Sequence, residues 1–299
     1  MAYKGRRTKK KPLWKNPVVW IAVAAIVLLL VMVAWIVGKV ASGEFSVRTP
    51  DPTTAPTSME KPEMMDQEET LPPPEENPYG PVDFLLDEES QQITCLSGEA
   101  IKGIDVSTWQ GDIDWQQVKD SGVEYVMIRL GGRGTTEGSV FADDMAQTYY
   151  EGAKAAGLKV GGYFFSQSIT IEEAIEEAQF SLDMVADWDV DMPIVYDWEY
   201  VGGGARTDNM HARLLTDMVK AFCDTVEAAG YDSMVYFGRS HSADLLILSE
   251  LVDYGFWLAM YNPIMDYPYK VDMWQYTESG SVPGISGNVD INLWFQYEE

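Results

Sequence analysis

The chain has 299 residues, 46% of them hydrophobic, and its 21 basic and 47 acidic side chains leave a net charge of −26. A polyanion of this strength is repelled by phosphate backbones, which excludes nucleic-acid binding. Two histidines and two cysteines are too few for a zinc finger or a three-histidine metal centre.

The charge is unevenly spread along the chain. Residues 1–16 carry seven Lys/Arg and no acid, and they read as a basic cytoplasmic tail. Val18 to Val37 then supplies twenty apolar residues without a charge. As a helix rising about 1.5 Å per residue, this run spans about 30 Å, the thickness of a bilayer core. Basic residues before it and acidic sequence after it put the N-terminus in the cytoplasm and the remainder outside. The expectation is a single-pass cell-membrane anchor over residues 17–38, in contact with the lipid bilayer. A cleaved signal peptide is the competing reading, with small residues at Ala41, Ser42 and Gly43, although such apolar regions usually run to only roughly 7–15 residues.

Residues 39–99 read as an extracellular stalk. Positions 41–99 hold fourteen acids against two bases, and 41–92 hold nine of the fifteen prolines. Proline at this density removes backbone donors, and like charges extend the chain. Within the stalk, Val82–Leu86 is the one stretch apolar enough to pack on the region beyond it.

From residue 100 to 299 the pattern alternates strand and helix. Strand-like runs fall at 101–106, 125–130, 160–165, 193–198, 234–237, 256–260, 271–275 and 289–295. Helical periodicity with caps falls between the early ones: Asp114 to Val118, Ala142 to Ala156 before Gly157, Thr170 to Ala186, Thr207 to Ala229 before Gly230, and Ser240 to Leu251. Eight strands with about five helices point to an α/β fold, an irregular β/α barrel whose last connections, rich in Pro, Gly and Asp, carry no helix. A doubly wound open sheet is the alternative, but no Gly-rich phosphate loop follows the first strand.

In such barrels the chemistry sits where the strands end. Reading those ends collects Asp105, Asp197, Glu199 and Asp290. Asp197 and Glu199 are two apart on one strand, so they share a face. Clustered carboxylates cannot all ionise cheaply, so at least one keeps its proton beside charged neighbours. Glycoside hydrolysis needs that arrangement: one group protonates the leaving oxygen while another stabilises positive charge. Solvated rim carboxylates, or a calcium or magnesium site, are the other readings of the same residues. Aromatic residues at or just past the strand ends favour a sugar, because a flat ring with a polar tip suits a pyranose face. They are Trp109, Tyr163, Trp198, Tyr200, Tyr236, Tyr261, Trp274 and Tyr276, of which Tyr163, Trp109, Tyr236, Tyr261 and Trp274, with Gln275, are the candidates for substrate binding. Ordinary barrel core accounts for some of these rings.

Five motifs in order carry a resemblance to a known family. They are the run from Gly103 to Trp115 (GIDVSTWQGDIDW), Gly157 to Phe165, Pro193 to Glu199 (PIVYDWE), Met273 to Tyr276 (MWQY) and Gly287 to Asn292 (GNVDIN). Together they resemble glycoside hydrolase family 25, the muramidase-type lysozymes. The resemblance implies a flattened β/α barrel that cleaves the β-1,4 bond from N-acetylmuramic acid to N-acetylglucosamine in peptidoglycan glycan strands. It places the general acid on Glu199 and a stabilising carboxylate on Asp197, with Asp105 and Asp290 as further catalytic-site aspartates, and it implies no cofactor. A substrate-assisted route would have Asp197 orient the acetamido group rather than attack the sugar. One departure from the family is Arg129-Leu-Gly-Gly-Arg133-Gly after the second strand, which bears on subsite preference. Gly202, Gly203 and Gly204 suggest a mobile loop beside the cleft. A silent wall-binding scaffold and a glycosidase for another N-acetylated glycan remain open.

His211 and His241 lie away from the strand ends and read as surface or packing residues. Cys95 and Cys223 are candidates for a bridge between the stalk and the long helix.

Overall fold

The computed structural model describes residues 71–88, 90–239 and 245–297. The basic tail, the expected membrane helix and the stalk up to residue 70 lie outside the described residues. Among those that are described, no helix is long and apolar enough to cross a membrane.

The strands are β1 (Phe84–Leu86), β2 (Ile93–Cys95), β3 (Glu99–Val106), β4 (Tyr125–Arg133), β5 (Val140–Ala142), β6 (Lys159–Ser166), β7 (Ile194–Trp198), β8 (Ser233–Gly238), β9 (Gly255–Ala259), β10 (Met273–Gly280) and β11 (Val289–Gln296). The helices are α1 (Trp115–Asp120), α2 (Ala146–Ala155), α3 (Ile171–Val185) and α4 (Ala212–Ala228). Eight strands close into a barrel in the order β3, β4, β6, β7, β8, β9, β10, β11, because β3 pairs with both β4 and β11. β5 adds a short antiparallel flap to β4.

Seven barrel strands run parallel and β11 runs against both its neighbours. The chain path explains why. Only residues 281–288 join β10 to β11, and a parallel return needs a crossover of about a dozen residues or more. The short connection forces a reversal, so β11 begins at the end of the barrel where the others finish.

Alternation along each strand sorts side chains between two cores. Tyr125, Met127, Val195, Met234, Tyr236, Trp257 and Met273 fill the barrel interior, with Ile101, Tyr163 and Trp294 packed against them. Their neighbours Val126, Ile128, Ile194, Tyr196, Val235, Phe256, Leu258 and Trp274 face the outer layer. Gly103 makes room for this filling, since a Cβ there would lie 2.2 Å from the Tyr125 ring.

Several sequence expectations shift in detail. Thr170 does cap α3, its side chain accepting from the Glu173 N–H at 3.2 Å, and Gly157 and Gly230 terminate their helices in the left-handed region. Ala142 instead belongs to β5, so α2 starts four residues later than expected. α4 starts at Ala212, capped by His211 through its Nδ1, while Thr207 is buried and bonded to Gln167. Of the expected fifth helix, residues 240–244, and His241 with them, lie outside the described residues, and Leu248–Glu250 forms a 3₁₀ turn. Cys95 and Cys223 are free thiols. β2 packs beside β3 and α4 against β7 and β8, so the barrel stands between the two sulfurs.

Residues 75–88 and 90–98, read from the sequence as the end of the stalk, are laid along the barrel. Phe84 and Ile93 enter the outer core. Phe84 meets Trp274 edge-on at 5.2 Å, and Tyr79 packs on Phe295 and Tyr297. Lys270 binds the Glu75 carboxylate at 3.0 Å, and its N–H donates to the Glu75 carbonyl. Removing the Phe84 ring leaves a hole against Trp274 and Phe295. Phe84→Ala is expected to lower stability by about 3 kcal/mol, read from denaturant unfolding.

Candidate active site

A cleft of about 360 Å³ opens where β3 to β10 end and β11 begins. Its lining includes Asp105 from β3, Asp197 from β7, Glu199 just beyond β7 and Asp290 from β11. Trp109, Tyr163, Tyr236, Tyr261 and Gln275 line it as well. A wider depression of about 710 Å³ adjoins it, sharing Glu199, Tyr236, Tyr261 and Glu278 and adding Trp198 and Tyr200.

Trp274 is the exception among the candidate substrate-binding residues. It is fully buried in the outer core, and its Nε1–H donates to the Met260 carbonyl at 2.9 Å. Strand parity is the reason: on β10, Met273 and Gln275 face the barrel interior, so Trp274 and Tyr276 must face out. Trp109 stands at the opposite extreme, 82% exposed on the rim.

Asp105 and Asp290 lie directly opposite each other across β3 and β11. Two amides serve them. Gln275 Nε2 donates to Asp105 at 2.9 Å and reaches toward Asp290 at 3.4 Å, while its Oε1 accepts from the Tyr236 and Tyr261 hydroxyls, both at 2.9 Å. Asn292 Nδ2 donates to Asp105 at 2.8 Å, and its Oδ1 accepts from the Trp257 indole at 2.8 Å. An indole N–H can only donate, so the orientation of Asn292 is fixed. With two amide donors Asp105 holds charge better than its partner, although burial raises both. Burial, the Asp105 charge and a hydrogen bond to Asp105 push Asp290 up to about 9, so this pair holds a proton, on Asp290, at neutral pH.

The second pair is Asp197 and Glu199. Burial, followed by the charges of Glu199 and Asp105, holds Asp197 well above the usual carboxylate range, while Arg129 opposes the shift. Asp197 Oδ1 is buried without a partner. Glu199 is solvent-exposed at the cleft wall, yet the surrounding walls and the charges of Asp105 and Glu278 also raise it. Asp197 acts on Glu199 in the opposite sense, through a side-chain hydrogen bond that lowers its pKa. Desolvation and the Asp105 charge, rather than the neighbouring Asp197, are therefore what raise Glu199.

Two charged cleft residues were not among the site candidates: Arg129, named only within the run after the second strand, and Glu278. Arg129 is the one cation lining the cleft among the described residues, and it is paired with Asp143 at 2.7 Å. Its parity with Tyr125 and Met127 on β4 could have placed it. Glu278 had no such signal. In a regular strand it would face away from Gln275, but β10 shifts register against β11 between Gln275 and Thr277 and again before Gly280. Such bulges re-aim side chains, and here they turn Glu278 to the cleft.

The model of glycosyl hydrolases family 25 matches residues 104–285. The chain belongs to that family. The autolytic lysozyme of Clostridium acetobutylicum is 33% identical over 195 residues, which cover 64% of this chain and 55% of that protein. Among solved structures, the modular autolysin LytC from Streptococcus pneumoniae in complex with a synthetic peptidoglycan ligand aligns with a TM-score of 0.60 at 25% identity, over 71% of this chain and 52% of that one. The bacterial lysozyme from Streptomyces coelicolor aligns with a TM-score of 0.53 at 26% identity, over 66% and 92%. The chain thus spans about half the length of the first two relatives.

In this family 25 chain the proton on Asp290 links folding to pH. The folded-state value near 9 lies above the unfolded value near 3.9, so the native state keeps a proton that the unfolded chain releases. That stabilisation is complete below about pH 4 and is lost as the pH rises through about 9. Urea midpoints should therefore fall from pH 5 to pH 9, and Asp290→Asn, neutral throughout, should make the fall shallower.

Proposed function

We propose that this chain is an N-acetylmuramidase of the lysozyme type, hydrolysing the β-1,4 bond between N-acetylmuramic acid and N-acetylglucosamine in peptidoglycan. The observation that carries this reading is the Asp197–Glu199 pair at the cleft, with Asp197 Oδ1 buried and unpaired, in a family 25 barrel. Two similar proteins are named as lysozymes, and the structure of a third is a complex with a peptidoglycan ligand.

The unpaired oxygen suggests the mechanism. An acetamido N–H entering the cleft donates to Asp197 Oδ1 and so favours the ionised form of that carboxylate. The proton shared by the pair then resides on Glu199. Glu199 delivers it to the glycosidic oxygen as the acetamido oxygen attacks the anomeric carbon from the other face, and the glucosamine end departs. Glu199, now ionised, takes a proton from water, which opens the cyclic intermediate with net retention. Asp105 and the protonated Asp290 keep this pocket electrostatically polarised without taking part in bond making.

Glu199→Gln keeps shape but has no proton to give, so turnover on purified peptidoglycan should fall at least about a hundredfold with binding largely retained. Asp197→Asn should be comparably severe. New reducing ends should be muramic acid. Glucosamine reducing ends would indicate another specificity, and no release at all a binding scaffold.

The same proposal sets the enzyme outside a bacterial cytoplasmic membrane, held by residues 17–38. Support comes from twenty apolar residues behind a basic segment. A tag after residue 299 should be open to external protease in intact spheroplasts while the Lys-rich start is retained. A mature N-terminus near Ser42 would instead mean secretion.

A further inference from the structure

The two carboxylates at the end of β7 are held by different means. Asp197 lies within the sheet, opposite Phe165 on β6 and Tyr236 on β8. Its backbone is fixed by ladders on both sides. Glu199 lies one residue past the last β7 rung, where Trp198 faces Ser166. The chain then enters a connection containing Gly202, Gly203 and Gly204, all at positive φ, before α4 begins at Ala212. Sheet pairing therefore gives Glu199 no support of its own.

One side chain replaces the missing rung. Gln167 is the first residue past the end of β6, next to Glu199 in the parallel register, and is completely buried. Its Nε2 donates to the main-chain carbonyl of Glu199 at 2.9 Å and to that of Ser166 at 2.9 Å. Its Oε1 accepts from the Thr207 hydroxyl at 2.9 Å, and Thr207 is also buried. The amide cannot be turned over, because Oε1 would then face two carbonyl oxygens. A single amide thus joins the backbone of Glu199 to the point where the glycine-rich connection returns. Arg206 supports that return, binding Glu173 at 2.7 Å and donating its N–H to the Thr135 carbonyl.

We propose that Gln167, oriented by Thr207, is a positioning residue for the reaction: it fixes the backbone of Glu199 so that its carboxyl meets the glycosidic oxygen. This rests on Glu199 being the proton donor. Gln167 lines no part of the cleft, so its effect on the reaction passes through the backbone it holds, that of Glu199 above all.

Leaving-group dependence separates positioning of the acid from general damage. A glycosidic alcohol needs a proton to depart, whereas a nitrophenolate does not. The full-length chain is assayed on a GlcNAc–MurNAc tetrasaccharide and on the nitrophenyl β-glycoside of the GlcNAc–MurNAc disaccharide. Gln167→Met should lower kcat on the tetrasaccharide by about tenfold to a hundredfold, as a misplaced catalytic group does, with KM within about twofold. On the nitrophenyl glycoside its loss should stay under about threefold in kcat/KM, the quantity compared for every variant on both substrates, because it reports the steps up to the cyclic intermediate and not the later opening by water that also uses Glu199. Thr207→Val should show the same selectivity at smaller size, and it carries the test if Gln167→Met loses its cooperative thermal transition. Equal losses on both substrates, or no loss on either, overturn the proposal. Glu199→Gln is run alongside. If it loses selectively and the Gln167 and Thr207 variants do not, the positioning role fails while the acid stands; if Glu199→Gln loses equally on both, the acid assignment itself fails.

Discussion

Inside the barrel, Asp105 and Asp290 face each other on adjacent antiparallel strands. Like charges placed directly opposite destabilise a sheet, and burial makes the repulsion worse. The short connection into β11 makes this meeting unavoidable once both residues point inward. The interior polar groups answer it in concert: a proton on one carboxyl, two amide donors on the other, and aromatic donors that hold the amides in place. Tyr236, Tyr261 and Trp257 therefore do more than present rings to a ligand. By occupying the acceptor sides of Gln275 and Asn292, they oblige the donor sides to face Asp105. A change to any of these rings reaches the carboxylates through one intervening side chain.

A second polar cluster lies behind the strand ends. Arg133, almost wholly buried, binds Glu177 and Glu176, each at 2.6 Å, and the Gly138 carbonyl at 2.7 Å. Glu177 accepts from Ser166 at 2.6 Å, and Ser168 bonds the Tyr196 hydroxyl at 2.7 Å. Burial outweighs Arg133 and pushes Glu177 up to about 7. Such a buried pair is weak evidence for stability, although breaking it by removing one partner is costly. Its place matters more than its energy. It ties α3 to β4, β6 and β7 directly beneath the Ser166–Ser168 segment, which carries Gln167.

The barrel and its polar end were legible because strand parity is a local property. Eight runs of alternating or apolar sequence correspond to the eight barrel strands, and the inward-pointing acids on β3, β7 and β11 follow from that parity. Parity also ought to have removed Trp274, which sits one residue from Gln275; its place at a strand end put it with the sugar-facing rings. What stayed hidden depends on contacts distant in sequence. The direction of β11 follows from the length of a loop. The bulges that bring Glu278 inward are set by pairing with β11. Val82–Leu86 packs as expected, through Phe84, but the rest of the docking at 75–88 and 90–98 comes from scattered residues such as Tyr79 and Ile93, in a stretch that proline and glutamate make look unstructured.

That packed stretch also bears on where the folded unit starts. Glu75 is bonded beside the start of β10, at the end of the barrel opposite the cleft, and Pro74 next to it is buried. A chain trimmed at residue 99 would keep every residue that lines the cleft, yet lose the cover over Trp274, Phe295 and Tyr297. Aromatic surface laid bare in this way promotes association between copies, so the trimmed barrel would aggregate with no change to the chemistry of the site.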